Sequence, residues 1–154
     1  MFTTGRNGIS IAYPTGWVTR PATEPWTTGI PDFTSPGGDI VHDPARQAGL
    51  WIAVASQPIG ISTPDEWVAE KLAFDDGCKT GEPIAVDGAA GLIGVGECTR
   101  AAVTTDGRGY FFWLYTGDND PSISVYDQAW FEEVLATVQL PPGDAVDAAP
   151  FASP

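Results

Sequence analysis

An α+β domain, an antiparallel β-sheet sandwiched by helices, is the fold this sequence predicts. Three observations lead there. The run Tyr110-Phe111-Phe112-Trp113-Leu114-Tyr115 is apolar at every position, so a strand there needs cover on both faces. The turns Val86-Asp87-Gly88 and Asp106-Gly107-Arg108-Gly109 divide the middle of the chain into hairpins. Helical spacing is confined to two segments, one opening at Thr63 and one covering roughly 124–137.

The bulk composition is compatible with that fold. A chain of 154 residues suits one domain, and 43% hydrophobic residues suffice for a core. The 18 Gly and 14 Pro point to many turns. The formal net charge is −13, and the seven bases, Arg6, Arg20, Arg46, Lys71, Lys79, Arg100 and Arg108, are scattered singly. Phosphate recognition needs clustered cations, so no nucleic acid partner is expected, and anionic membrane surfaces are disfavoured. No apolar run approaches the roughly 20 residues of a membrane span. Met1-Phe2-Thr3-Thr4 does not read as a signal peptide. A mature domain cut from a precursor and a complete protein without an export signal both remain open.

Taken in order, residues 2–4 suit a short first strand, and Gly5-Arg6-Asn7-Gly8 a turn. Ile9-Ser10-Ile11-Ala12-Tyr13 alternates with period two, placing Ile9, Ile11 and Tyr13 on one face. Pro14-Thr15-Gly16 ends it. From 18 to 46 five prolines predict irregular chain, with short extended pieces near 26–30 and 39–41. Leu50-Trp51-Ile52-Ala53-Val54-Ala55 reads as a strand covered on both faces. Thr63, Pro64 and Glu66 form a capping box with proline at the first helical position. The following stripe is Val68, Ala69, Leu72 and Ala73, with Trp67 and Phe74 flanking it and Gly77 as the stop.

Segments 82–86 and 90–98 read as a hairpin around Asp87-Gly88. A three-residue loop, Asp87-Gly88-Ala89, brings Cys78 opposite Cys98; a two-residue loop leaves them one position out of register. Segments 100–105 and 109–116 form a second hairpin. Asp118-Asn119-Asp120 lies in a polar loop, and the last helix presents Phe131, Val134, Leu135 and Val138 inward and Glu132 and Glu133 outward. The domain is read as 1–140, followed by a Pro/Ala-rich tail, 141–154, expected to be mobile on its own.

This order of elements resembles the PsbP-like (Mog/PsbP) superfamily. Ile9-Ser10-Ile11-Ala12-Tyr13-Pro14-Thr15-Gly16-Trp17 is similar to its opening strand and Tyr-Pro-x-x-Trp ending. Val86-Asp87-Gly88 is similar to its mid-chain turn, and 131–138 to its closing helix. The resemblance implies an α/β/α sandwich, mostly non-enzymatic relatives of secreted, lipoprotein, photosystem-accessory or protein-binding type, and no catalytic set. The chain lacks a lipobox cysteine near its start.

Candidate chemistry is sparse. Cys78 and Cys98, with none spare, suit one disulfide in an oxidising compartment; buried thiols or a redox pair are the alternatives, though no Cys-x-x-Cys is present. A disulfide closing this loop contributes roughly 3 kcal/mol. His42 is the one histidine, beside Asp39 and Asp43, and a triad would need Ser35 or Ser56 brought near by folding. A loop histidine bonded to solvent or backbone is the simpler account. Asp118-Asn119-Asp120 lacks the rest of a calcium loop, and no metal or cofactor is expected. The acids Asp65, Glu66, Asp75, Asp76, Glu132 and Glu133 sit at helix ends or outer faces, where solvated acids belong. Among six tryptophans, Trp51 and Trp113 read as core. Trp17 and Trp26 either anchor a ligand or plug the core.

The function expected is a non-catalytic, extracytoplasmic interaction domain, not an enzyme. It would bind a protein partner or small ligand through residues 19–46, with Trp17, Trp26, His42, Asp43 and Arg46 as candidate binding residues. The alternatives are a structural subunit whose tail packs on neighbours, and an enzyme of unknown type using His42 or a carboxylate pair.

Overall fold

Two tight turns set the register of the sheet. Asp87 and Gly88 both take positive φ, 47° and 83°, as do Asp106 and Gly107, 52° and 75°. That geometry matches the right-handed twist of paired strands and is accessible to Asp-Gly. In a computed structural model, which describes residues 2–3, 7–95, 98–117 and 123–141, nine strands result: β1 (Phe2–Thr3), β2 (Ser10–Ile11), β3 (Val18–Arg20), β4 (Asp39–His42), β5 (Leu50–Pro58), β6 (Gly81–Val86), β7 (Ala89–Gly94), β8 (Arg100–Thr105) and β9 (Arg108–Thr116). Two α-helices accompany them, α1 (Pro64–Ala73) and α2 (Gln128–Leu135). The turn 5–6, the polar loop 118–121 and the tail beyond 141 fall outside the described residues.

Seven strands form one antiparallel sheet in the order β3-β4-β5-β9-β8-β7-β6. β1 and β2 pair separately, and β2 is tied to the chain after α2 by the bridge Ser10–Gln139. Strand β9 divides its side chains as alternation requires. Tyr110, Phe112 and Leu114 join Ile52, Val54, Val41 and Val103 against Phe131, Val134 and Leu135 of α2. Phe111 joins Ala55 and Ala102 against Trp67, Val68 and Leu72 of α1, with Trp26 and Cys78 alongside. Both sides of the central strand are therefore buried as far as Phe112, as its composition demands, while Trp113 is partly and Tyr115 more fully exposed.

Several expectations are corrected by tertiary packing. The Val86–Ala89 pair makes the first hairpin loop two residues long, and pairing stops at Gly81–Gly94. The cysteines are nevertheless bonded, with Cα atoms 5.4 Å apart. They do so beyond the last paired residues of β6 and β7, where strand register no longer dictates spacing. Strand β3 occurs inside the stretch expected to be irregular, while 26–30 forms no strand. Its edge position needs one partner only, and Pro21 ends it without breaking a ladder. The Pro-rich connection folds back on itself: the N–H groups of Thr23 and Glu24 both donate to the carbonyl of Pro36.

Helix α1 begins as its capping box predicts: Thr63 accepts from the Glu66 N–H, and Glu66 accepts from the Thr63 N–H. Its buried stripe is Trp67, Val68, Lys71 and Leu72, whereas Ala69 and Ala73 are exposed. The stripe is offset by one residue, about 100° around the axis, because Trp67 is drawn against Trp26. Gly77 does not provide the left-handed stop; Asp75 and Asp76 do, at φ 53° and 55°. Helix α2 is shorter than expected because Asp127 caps it, accepting from the Trp130 N–H at 3.0 Å.

Candidate functional site: aromatic rows at one end of the sheet

Register places two rows of side chains on the α1 side of the sheet. One is Val18–His42–Trp51–Tyr115; the next is Arg20–Ile40–Ala53–Trp113–Arg100. Phe33 folds over the first three strands: its ring stands edge-on to His42 at 5.2 Å and tilted to Trp51 at 6.3 Å. Trp51 is buried, yet Tyr115 lies stacked on it at 4.9 Å and 15° and remains 36% exposed. Trp113 meets both rings edge-on, at 5.0 and 5.9 Å. Each end of the array carries an arginine over an aromatic ring: Arg20 over Phe33 at 4.9 Å, and Arg100 over Trp113 at 4.6 Å.

Arg100 also fixes the helix end. Its Nη1 donates to the carbonyls of Leu72 (3.1 Å) and Phe74 (2.7 Å). Burial draws its pKa down, and the charge of Asp75 pushes the other way. Beside it opens a cleft of about 590 Å³ lined by Lys79, Thr80, Thr99, Arg100, Trp113 and Tyr115. Its size is that of small-ligand sites.

The residues singled out from sequence fall in different places. Cys78 and Cys98 form the disulfide, and Cys98 lines the cleft. Trp17 is buried on the α2 side, among Tyr126 and Trp130. Trp26 is buried under α1, with its ring 6.0 Å from both Trp67 and Phe111 and its indole N–H donating to the carbonyl of Thr28. A smaller cleft of about 280 Å³ runs past it, lined by Pro25, Thr28, Ile30 and Pro36. His42 sits in β4 rather than in a loop; its Nδ1 is buried and has no hydrogen-bond partner among the described residues. Asp43 and Arg46 close the turn after it, with a backbone bond of 3.0 Å and their charges 4.0 Å apart. His42, Asp43 and Arg46 therefore stay together, and the two tryptophans stand apart from them and from each other.

Neither serine considered as a nucleophile reaches His42. Ser56 alternates with Ala55, so it faces the opposite side of the sheet from Trp51 and its partner His42; its hydroxyl accepts from Arg108 Nε at 2.7 Å. Ser35 is held within its own turn by Asp32. Around Ser56 lies a buried polar chain: Asn7 Nδ2 donates to Asp39, and Asn7 Oδ1 accepts from the Ser56 N–H. The acids Asp65, Glu66, Asp75, Asp76, Glu132 and Glu133 are all exposed. Among the described residues no group of acids, histidine or cysteines stands in metal-binding proximity, and no helix is long and apolar enough to cross a membrane.

Sequence reasoning missed Tyr115, Trp51 and Arg100 as neighbours. The available signal was the odd-numbered half of the β9 alternation, Phe111, Trp113 and Tyr115, combined with an antiparallel partner carrying Trp51.

No family model matches the chain, and no curated protein matches it. Among solved structures, the fold is similar to the solution structure of cyanobacterial PsbP (CyanoP) from Synechocystis sp. PCC 6803. The TM-score is 0.49, with 13% identity, over 91% of each chain. No residue role transfers at that identity.

Proposed function

We propose that the chain is a non-catalytic, extracytoplasmic interaction domain, with its helices layered on the two sheet faces, that binds a protein partner where Tyr115 stands. The observation that carries this reading is Tyr115 itself. It is exposed, stacked on a buried tryptophan, and belongs both to the aromatic row and to the cleft wall. A ring held that way offers contact area with little side-chain entropy to lose. Lys79 and Arg100 line the cleft beside Tyr115 in a molecule whose net charge is −13, which favours a partner presenting acidic side chains at that wall. The disulfide supports an oxidising compartment. His42 meets the ring of Phe33 and lies opposite Trp51, and Ser35 and Ser56 are both held by other partners, which supports the non-catalytic reading.

The test is affinity capture from the extracytoplasmic fraction of the source, using wild type, Tyr115→Ala, Lys79→Glu and, as control, Ile61→Ser, which alters a fully exposed residue before α1. Proteins held by wild type and the control but lost by the first two variants support the site. Identical capture by all four overturns it. Far-ultraviolet circular dichroism confirms that each bait is folded.

A further inference from the structure

On the α2 side of the sheet a second groove, of about 320 Å³, runs between the chain at 12–14 and the outer face of α2. Tyr13 and Pro14 form one wall; Trp130, Glu133 and Thr137 form the other. The walls are clamped together. Thr137 Oγ1 accepts from the Ala12 N–H at 3.0 Å and donates to the Val134 carbonyl at 2.6 Å, and Ser10 and Gln139 exchange backbone bonds of 2.9 Å. Trp130 is braced from behind: its ring lies 4.8 Å from Tyr126, edge-on, and 6.1 Å from Trp17. The groove is thus preformed, and its principal ring has little freedom to surrender on binding.

We propose that this groove docks an extended, proline-containing segment of a partner protein that carries a lysine or arginine. Three features select that occupant. Polyproline II chains lack internal hydrogen bonds and present ridges that settle between fixed aromatic rings and proline. The indole N–H of Trp130 makes no hydrogen bond to the described residues, leaving a donor for a carbonyl, the one backbone group that proline keeps. Glu133 is exposed on the rim, no basic side chain among the described residues lines the groove, and the molecule as a whole is strongly acidic, so charge complementarity calls for a cation on the ligand. The groove is separate from the Tyr115 cleft and does not depend on it.

The experiment is selection of a phage-displayed library of random peptides on the full chain, followed by anisotropy titration of the enriched peptides. The expected consensus has prolines at Pro-x-x-Pro spacing with a neighbouring Lys or Arg. Trp130→Ala then weakens binding at least about tenfold, and Glu133→Lys, on an exposed position that leaves the fold intact, by about threefold. Should Trp130→Ala fail to fold, Glu133→Lys and Tyr13→Ser decide the matter. Enrichment of peptides without proline, enriched peptides indifferent to all three variants, or no enrichment at all overturns the proposal. So does Trp130-dependent binding of cellohexaose in place of any peptide, which assigns the groove to a sugar.

Discussion

The guanidinium of Arg100 occupies the space that a side chain on Gly77 would need: a β-carbon at Gly77 falls on Arg100 Nη1. No side chain fits at Gly77 while Arg100 keeps that seat. Gly77→Ala therefore displaces Arg100 from the carbonyls it holds, Leu72 and Phe74. The expected loss is about 1–3 kcal/mol in urea denaturation. In an Arg100→Met background the penalty shrinks, a coupling that a double-mutant cycle reads directly. It does not vanish, because the Leu72 carbonyl also stands 2.7 Å from the added carbon.

Reduction of Cys78–Cys98, whose separation is 20 residues, is expected to cost roughly 3 kcal/mol. The double substitution Cys78→Ser with Cys98→Ser should match the reduced wild type. Denaturation midpoints with and without reductant check both, and a midpoint unmoved by reductant would falsify the stabilising role.

Glu66 supplies a pH dependence. Hydrogen bonding from the Thr63 N–H, and then from its side chain, holds the Glu66 carboxyl below its ordinary value. A carboxylate depressed in the folded state stabilises above its unfolded pKa, and that stabilisation is lost as pH falls through the folded pKa. Melting temperature should therefore fall less steeply with acid in Glu66→Gln than in wild type. Thr63→Ala, which removes the cap itself, is expected to cost about 1 kcal/mol at neutral pH.

Asp39 is fully buried and accepts from Asn7 Nδ2 and from the Ala22 N–H at 2.8 Å. Asn7→Ala removes one donor from that carboxylate and the acceptor of the Ser56 N–H. The expected cost is about 2 kcal/mol by chemical denaturation. Asn7→Asp should cost more, because it sets a second carboxylate against the first.

What was legible before folding is what is satisfied within a few residues. Asp-Gly at 87–88 and 106–107 carries its turn geometry in its own backbone, and Thr63 and Glu66 complete each other across one helical turn. The stripe Phe131, Val134, Leu135 and Val138 and the two-sided apolarity of β9 likewise follow from spacing alone, because period determines which side chains share a face. Distance in sequence hid the rest. The offset of the α1 stripe needs Trp26 to be seen against Trp67, and the seat of Arg100 needs Gly77 beside it. The cysteines pair where the ladder has already ended, so no count of register reaches them. The array His42, Trp51 and Tyr115 exists because three strands far apart in the chain align side by side. Local bonding rules write turns, caps and periodicity; the neighbours of a ring or a charge are set by which distant strands exclude water together.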